Sequence, residues 1–220
     1  MALTDGLIAL WRFNKSWGDD SGNGLNLTAN GATFDTINKK LGSACMSGDG
    51  VDDQPSVGLN VNFANIGIAC WFRTSNVTVD RRILEHSWDS GGVFSLWVNL
   101  ISEAKCDLKM SDDTVYEKTL GTVSANTYYH ALYGYDGTIM RYYLNNVEGT
   151  PLSINKTLKN SNLNLLLRGN SGAVLKLDEL AIWNRLPSAS EVSQLYNGGT
   201  GIEIPYPTPT GGGGIWGLIR

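Results

Sequence analysis

Apolar and polar residues alternate with a period of two along much of the chain. Ile66, Ile68, Cys70 and Phe72 fall on one face of residues 66–73. Residues 93–100 repeat the pattern, with Phe94, Leu96, Val98 and Leu100 together. Because successive side chains of a strand point to opposite faces, both segments predict strands with one buried face. Further strands are predicted at 129–135, 139–144, 163–167 and 174–183.

One segment near the end has the pattern of a helix. Ser188 can cap its start and Glu191, three residues later, can reach back, which forms a capping box. Val192, Leu195 and Tyr196 share a face, and Gly198 suits the end of the helix. We expect a helix of about two turns.

Short strands joined by glycine-rich turns, such as Asp136-Gly137, are typical of a two-sheet sandwich. The predicted fold class is therefore all-β: an antiparallel jelly-roll sandwich with one short C-terminal helix and an extended C-terminal tail. Residues 1–200 are expected to form the sandwich, and residues 201–220 a Pro/Gly-rich arm.

Composition and charge argue against nucleic acid and membrane as partners. Only 17% of the 220 residues are charged, Gly reaches 26, and the net charge is −4, so no positive field would attract nucleic acid. Residues 1–13 have neither a basic signal-peptide start nor a membrane-spanning apolar run. We therefore expect synthesis in a host cytoplasm without a signal peptide, and neither nucleic acid nor membrane as a partner.

The three cysteines, Cys45, Cys70 and Cys106, cannot all pair with one another, and no C-x-x-C spacing accompanies them. They are expected to be reduced and mostly buried.

Four segments of the chain resemble one family. GLIALWRFN at 6–14, DDSGNGLNLTANGATF at 19–34, YYHALYGYDG at 128–137 and LDELAIWNRLPSASEVSQLYNGG at 177–199 are similar to motifs of laminin-G-like domains in the concanavalin A superfamily. The last is the most specific, because a strand with Asp-Glu followed by a capped helix ends many members. The resemblance implies a two-sheet jelly roll that often binds carbohydrate and often carries calcium.

Calcium ligands are implied by the same resemblance. The acidic turn after the first strand would bring Asp20 and Asn23 towards Asp178. The alternative is that Asp20 and Asn23 bond their own turn and Asp178 accepts loop N–H groups. A weaker acidic cluster lies at 48–53. An EF-hand is excluded, because the twelfth position of its loop would be Asn30.

Hydrolysis of glycans on this fold needs carboxylates at alternate positions of one strand, as in E-x-D-x-x-E. No such string occurs around Glu85 or Glu103. The two histidines, His86 and His130, have no matched nucleophile motif. The sequence thus predicts a protein that is not an enzyme.

Sugar binding usually needs an exposed aromatic ring beside short polar side chains. Trp17 and Trp88 lie in turn-rich surroundings, and Asp89 follows Trp88, so these three are the candidate carbohydrate-binding residues. The alternative is that both rings close one end of the sandwich. The tryptophans within strand patterns are expected in the core: Trp11, Trp71, Trp97 and Trp183.

The tail combines an extended strut, with prolines at 205, 207 and 209, and four glycines at 211–214. It ends in an apolar tip, the candidate assembly residues Ile215, Trp216, Leu218 and Ile219. Such a tip favours association, so it either folds back or docks into a neighbouring subunit.

These features together suit a bacteriophage virion protein, a capsid decoration or fibre-associated module that adheres to cell-surface or environmental glycans. Its arm would contact other virion subunits or sister copies. The alternative is a carbohydrate-binding module of a larger glycan-active protein, with the arm as a linker. A glycan hydrolase is a third class, disfavoured by the missing carboxylates.

Overall fold

The computed structural model describes residues 1–170 and 172–205, with the side chain of Trp88 excepted. Within them one α-helix, α1 (Ala189–Tyr196), accompanies fifteen strands. The strands are β1 (Leu7–Trp11), β2 (Thr33–Asp35), β3 (Cys45–Gly48), β4 (Ser56–Val61), β5 (Ile66–Thr74), β6 (Arg81–His86), β7 (Phe94–Val98), β8 (Glu103–Lys109), β9 (Val115–Thr122), β10 (Tyr129–Tyr135), β11 (Ile139–Leu144), β12 (Val147–Glu148), β13 (Leu152–Ser153), β14 (Ser161–Leu167) and β15 (Leu175–Trp183).

The strands form two antiparallel sheets, so the predicted jelly-roll sandwich is confirmed. The nine-stranded sheet has the order β12-β11-β10-β5-β15-β3-β2, with β1 also paired to β15 and β13 to β11. The six-stranded sheet has the order β4-β14-β6-β7-β8-β9. Sequence neighbours β6, β7, β8 and β9 are thus neighbours in space, whereas β4 and β14 meet across a long connection.

The inner faces of both sheets form one apolar core, as the period of two predicts. Ile68, Phe72, Leu96 and Leu177 are each at most 1% exposed. Ala69 lies on the opposite face of β5 from Ile68 and joins a second cluster.

That second cluster covers the outer face of the nine-stranded sheet. It packs Val192 and Leu195 of α1 onto residues of β1, β10 and β15. Its members are Leu3, Leu7, Leu10, Ala69, Leu132, Tyr143, Ala181, Trp183, Val192, Leu195 and Ile204. Because β15 is buried on both faces, all nine of its residues are buried.

The helix begins with the predicted capping box. Ser188 Oγ accepts the backbone N–H of Glu191, and a carboxylate oxygen of Glu191 accepts the N–H of Ser188 at 2.8 Å. Its end differs by one residue from the expectation, because Asn197 takes the left-handed conformation with φ of 46° and Gly198 follows it. Asn tolerates this region better than other residues with a Cβ.

The described part of the predicted arm lies against the sandwich. Ile204 is 1% exposed within the second cluster, and its N–H donates to a carboxylate oxygen of Glu179 at 3.3 Å. A guanidinium N–H of Arg12 donates to the Ile204 carbonyl. The division at residue 200 stays a prediction, because 206–220 lie outside the described residues.

The six-stranded sheet has a polar outer face. Trp97 was expected in the core, but it lies half-buried on this face, because Phe94, Leu96 and Val98 occupy the inward positions of β7. Trp71 is buried, yet on the outer face of the nine-stranded sheet, where it stacks on Tyr196 with ring centroids 5.8 Å apart.

The cysteines are free and buried, as expected. Burial raises the pKa of all three thiols, so they stay protonated. None of the helices in the described chain has the length and apolar character needed to cross a bilayer.

Candidate functional site

An open groove of about 580 Å³ lies at one end of the sandwich. Three connections meet there: the β4–β5 loop, the β8–β9 turn and the segment between β13 and β14. We call it the rim groove, and it is lined by Asn62, Phe63, Ala64, Ser111, Thr157, Leu158, Lys159 and Asn160.

Backbone pairing holds two of these connections together. Met110 forms an isolated β-bridge with Leu158, and the N–H of Ser111 donates to the Thr157 carbonyl at 2.9 Å. The hydroxyls of Ser111 and Thr157 are hydrogen-bonded at 2.7 Å. The wall between the β8–β9 turn and residues 157–160 is therefore preorganised.

The groove combines an apolar surface with short polar side chains. Phe63 is half-buried and packs against the inter-sheet core, and Leu158 is 4% exposed. Asn62, Asn160 and Ser111 are exposed around them. An aromatic ring beside amide and hydroxyl groups is able to contact both the C–H face and the hydroxyls of a sugar.

A second hollow of about 370 Å³ adjoins the rim groove. It shares Ser111 and Thr157 with the groove and continues to Lys156 and Gly137. Two hollows joined at one polar wall suit an extended ligand better than a compact one.

Ion pairs fix the charges around both hollows. Lys156 contacts Asp112 at 2.7 Å, and Lys159 contacts Asp113. The hydrogen bond from Lys156 lowers the pKa of Asp112 to about 2. Asp112 is thus ionised at neutral pH and is not poised to donate a proton.

The loop that carries Trp88 and Asp89 borders this groove. Trp88–Ser90 form a short 3₁₀ turn between β6 and β7, with Asp89 exposed. A Cβ added to Gly91 would lie 3.6 Å from Nζ of Lys159, which places the loop beside the groove wall. The side chain of Trp88 lies outside what the structure describes.

Trp17 is at the opposite end of β4 from the rim groove. Its loop is tied to the chain around Thr28, which pairs with Ser56 at the start of β4, whereas Asn62 follows the end of β4. Trp17 is half-buried, and its ring centroid lies 4.5 Å from that of Phe34. The structure therefore does not bring Trp17 together with Asp89.

Two of the expected calcium ligands are held on the first loop by β1. Oδ2 of Asp20 accepts the N–H of Arg12 at 3.3 Å, and Nδ2 of Asn23 donates to the carbonyls of Leu7 and Ile8. Burial raises the pKa of Asp20.

The third expected ligand, Asp178, is fully buried at a bulge of β15. Its Oδ2 accepts the N–H groups of Lys40 and Leu41, both at 2.9 Å, while Oδ1 has no hydrogen-bond partner among the described residues. Burial raises its pKa to about 7. The buried free oxygen suits a cation, but Asp20 and Asn23 bond elsewhere, so calcium at the trio stays a prediction.

The second acidic cluster is closer to a cation site in geometry. Carboxylate oxygens of Asp49, Asp52 and Asp53 lie within 4.8 Å of one another. Oδ2 of the buried Asp53 accepts the N–H of Asp49 at 2.8 Å, so part of the cluster supports its own turn.

The assembly residues Ile215, Trp216, Leu218 and Ile219 lie outside the described residues.

Sequence reasoning missed Phe63 and the groove residues around it. They come from loops separated by about a hundred positions, and no short motif links them. The one available signal was Phe63 itself, an aromatic residue between Asn62 and Ala64 in a connection.

A family model described as the concanavalin A-like lectin/glucanases superfamily, Laminin_G_3, matches residues 48–193. No curated protein matches the chain in sequence.

Solved structures match over about nine tenths of the chain. The binding domain of Paraclostridial Mosquitocidal Protein 1 is 16% identical, with a TM-score of 0.75 over 89% of this chain and 52% of its own. The receptor-binding domain of botulinum neurotoxin D is 13% identical, with a TM-score of 0.74 over 90% and 54%. The botulinum neurotoxin serotype D ligand-binding domain, in complex with N-acetylneuraminic acid, is 13% identical, with a TM-score of 0.73 over 89% of this chain and 51% of its own. The chain thus spans about half of each.

Proposed function

Because the chain belongs to the concanavalin A-like lectin/glucanases superfamily through the Laminin_G_3 family, we propose that it is a non-enzymatic glycan-adhesion module that binds in the rim groove. The observation that carries this proposal is the half-buried Phe63 ring, set among Asn62, Asn160 and Ser111 in the open groove. The adjoining hollow gives room for more than one sugar unit.

The absence of catalysis is supported by the state of the nearby carboxylates. Asp112 and Asp113 are each paired with a lysine, and the low pKa of Asp112 leaves it without a proton to donate. Cleavage of a glycosidic bond needs one carboxyl group that is protonated at working pH.

The relatives support glycans as the ligand class. One of the similar solved domains is a complex with N-acetylneuraminic acid. That likeness concerns the fold, so the sugar bound by this chain is identified by experiment.

A glycan array on the wild-type chain and on Phe63→Ala tests the proposal. Phe63→Ala is expected to weaken binding about tenfold or more, because the sugar loses its stacking surface. Ile37→Ala, which removes an 86% exposed side chain from another loop, is the matched control and should leave binding unchanged. Equal binding by Phe63→Ala and wild type would exclude the rim groove.

We further propose that the module is displayed on a bacteriophage virion and is attached through residues 201–220. Three buried reduced thiols suit folding in a reducing cytoplasm before release by lysis. Ile204 is buried against the sandwich, so the arm leaves the domain from a fixed position. Removal of residues 211–220 should leave a folded domain that no longer assembles, as measured by light scattering; unchanged assembly would refute the arm.

A carbohydrate-binding module of a larger protein is the second candidate, favoured because the chain spans about half of the matched structures. In that case the full chain and the chain without 211–220 would both be monomers in the same experiment, while glycan binding in the rim groove would persist.

A further inference from the structure

A row of four polar residues, of which three are buried and Glu117 is exposed, crosses the outer face of the six-stranded sheet. Glu85, Ser95, Asp107 and Glu117 lie opposite one another on β6, β7, β8 and β9. Glu85 is 2% exposed, Ser95 0% and Asp107 3%. Burying carboxylates on an outer face costs free energy, because each loses its hydration. Pairing with Arg82 and Arg168 offsets part of that cost, so each of the two buried carboxylates has a cation beside it.

Trp97 lies on the same face, close to two cations. The guanidinium carbon of Arg82 lies 5.3 Å from the ring centroid and Nζ of Lys105 lies 5.4 Å from it. Arg82 donates to Oδ2 of Asp107 at 3.0 Å, and Lys105 donates to Glu117 at 2.6 Å.

Charges of the two signs are matched on this face. Arg168 contacts Glu85, which adds a third pair to those of Arg82 with Asp107 and Lys105 with Glu117. An electrically balanced surface has no long-range attraction for an anionic ligand over a neutral one. Its donors and acceptors are nevertheless fixed in place, which suits hydrogen bonding to a neutral polar ligand.

Two polar side-chain atoms of the face have no hydrogen-bond partner within the described part of the chain. They are Oδ1 of Asp107, an acceptor, and Nε1 of Trp97, a donor, and both are buried. A hydroxyl group can satisfy either atom, because it both donates and accepts. Access to them requires a movement of a long side chain such as Lys105, whose side chain is 18% exposed.

We propose that this surface, the Trp97 face, is a second saccharide-binding site whose occupant is a neutral pyranose chain. One sugar ring stacks on Trp97, and its hydroxyls bond Asp107 and the neighbouring Ser95–Arg82 network. The inference rests on the proposed function only for the ligand class, since the rim groove and the Trp97 face share no residue.

Indole N–H signals in ¹⁵N–¹H NMR spectra test the site directly. The signal of Trp97 is assigned as the one lost in Trp97→Phe. Neutral pentasaccharides of cellulose, laminarin, mannan and chitin are the probes, and trigalacturonate is the acidic control. At least one neutral probe is expected to shift the Trp97 signal, whereas trigalacturonate is not.

Binding of that probe to variants separates the two sites. Trp97→Ala is expected to abolish the Trp97-face component, with at least a tenfold loss at that site, and Trp97→Phe to retain part of it. Thr119→Ala, an exposed change on the same face, should bind as wild type does. Urea unfolding confirms that each variant is folded.

Each outcome decides one of the two proposals. If no neutral probe shifts the Trp97 signal, or if trigalacturonate alone does, the Trp97 face as described is overturned. Loss of all binding in Phe63→Ala with no effect of Trp97→Ala would overturn the Trp97 face and leave the rim groove. The reverse result would overturn the rim groove and leave the Trp97 face.

Discussion

The outer faces of the two sheets differ in what covers them. On the nine-stranded sheet, Leu132 and Trp183 are fully buried beneath α1 and the N-terminal residues. On the six-stranded sheet, Trp97 is half-buried among charged residues, and no described helix lies over it.

The burial patterns of the strands show the same difference. The nine residues of β15 are all buried, whereas β9 alternates exposed and half-buried residues along much of its length. A strand covered on both faces contributes mainly to stability, while a strand with one open face is free to carry binding groups. The helix side of this sandwich therefore holds the fold, and the opposite side leaves polar side chains open to solvent.

The largest expected difference comes from one matched substitution on each outer face. Leu132→Ala should lower the free energy of unfolding by about 3 kcal/mol, because it leaves a cavity under α1. Leu166→Ala removes a half-buried leucine from the outer face of β14 and should cost about 1 kcal/mol. Urea unfolding measures both losses of free energy, and equal losses would show that the two outer faces are covered to the same extent.

The second test concerns the buried acid beneath the C-terminal segment. Burial raises the pKa of Glu179 to about 8, so the folded chain retains a proton that the unfolded chain releases near pH 4.5. Stability from this group is therefore lost as pH rises from about 4.5 to 8. Between pH 5 and 6.5, wild type should lose roughly 2 kcal/mol relative to Glu179→Gln, because each pH unit in this window costs about 1.4 kcal/mol.

Thermal unfolding of wild type and Glu179→Gln across this pH range measures the difference in stability. Both histidines titrate in wild type and variant alike, so their effects cancel in the difference. The charge of Asp178 contributes to the raised pKa of Glu179, so the titration of Asp178 is part of the difference. A difference that stays constant with pH would show that Glu179 is ionised in the folded chain.

The local pattern predicted six of the fifteen described strands, and the capping box with its apolar face predicted the helix. The inward set of β5 and the capping box of Ser188 and Glu191 follow from local rules that the structure confirms. Two-sided burial was not predictable in this way. Trp71, Trp97 and Trp183 all lie within strand patterns, and the positions of α1 and of the N-terminal residues decide which outer-facing ring is covered.

The candidate sites depend on contacts that sequence separation hides. Phe63 meets Thr157 because β4 and β14 are neighbours in the six-stranded sheet, and the row from Glu85 to Glu117 takes one residue from each of four strands. A search for carboxylates along a single strand finds neither. Turn composition, by contrast, predicts Asp89 as a candidate, and the loop that carries it borders the rim groove.

A third test probes how the covering helix is held. Ser188→Ala removes the N-cap and should cost about 1 kcal/mol in the free energy of unfolding. Ser193→Ala changes an exposed residue of the same helix and should have little effect or a slight stabilising one. If both variants match wild type in urea unfolding, the cap is not what secures α1 to the sheet.

The smallest expected effect is that of calcium at the covered sheet. For a site with a Kd of about 1 mM, 3 mM calcium would raise the free energy of unfolding by about 0.8 kcal/mol, and a chelator would reverse it. Asp178→Asn should remove the effect and Asp53→Asn should not. Because burial raises the pKa of Asp178 to about 7, the effect should be larger at pH 8 than at pH 6. Loss of the effect in Asp53→Asn alone would place the ion at the acidic cluster, and no shift with calcium or chelator would remove the prediction.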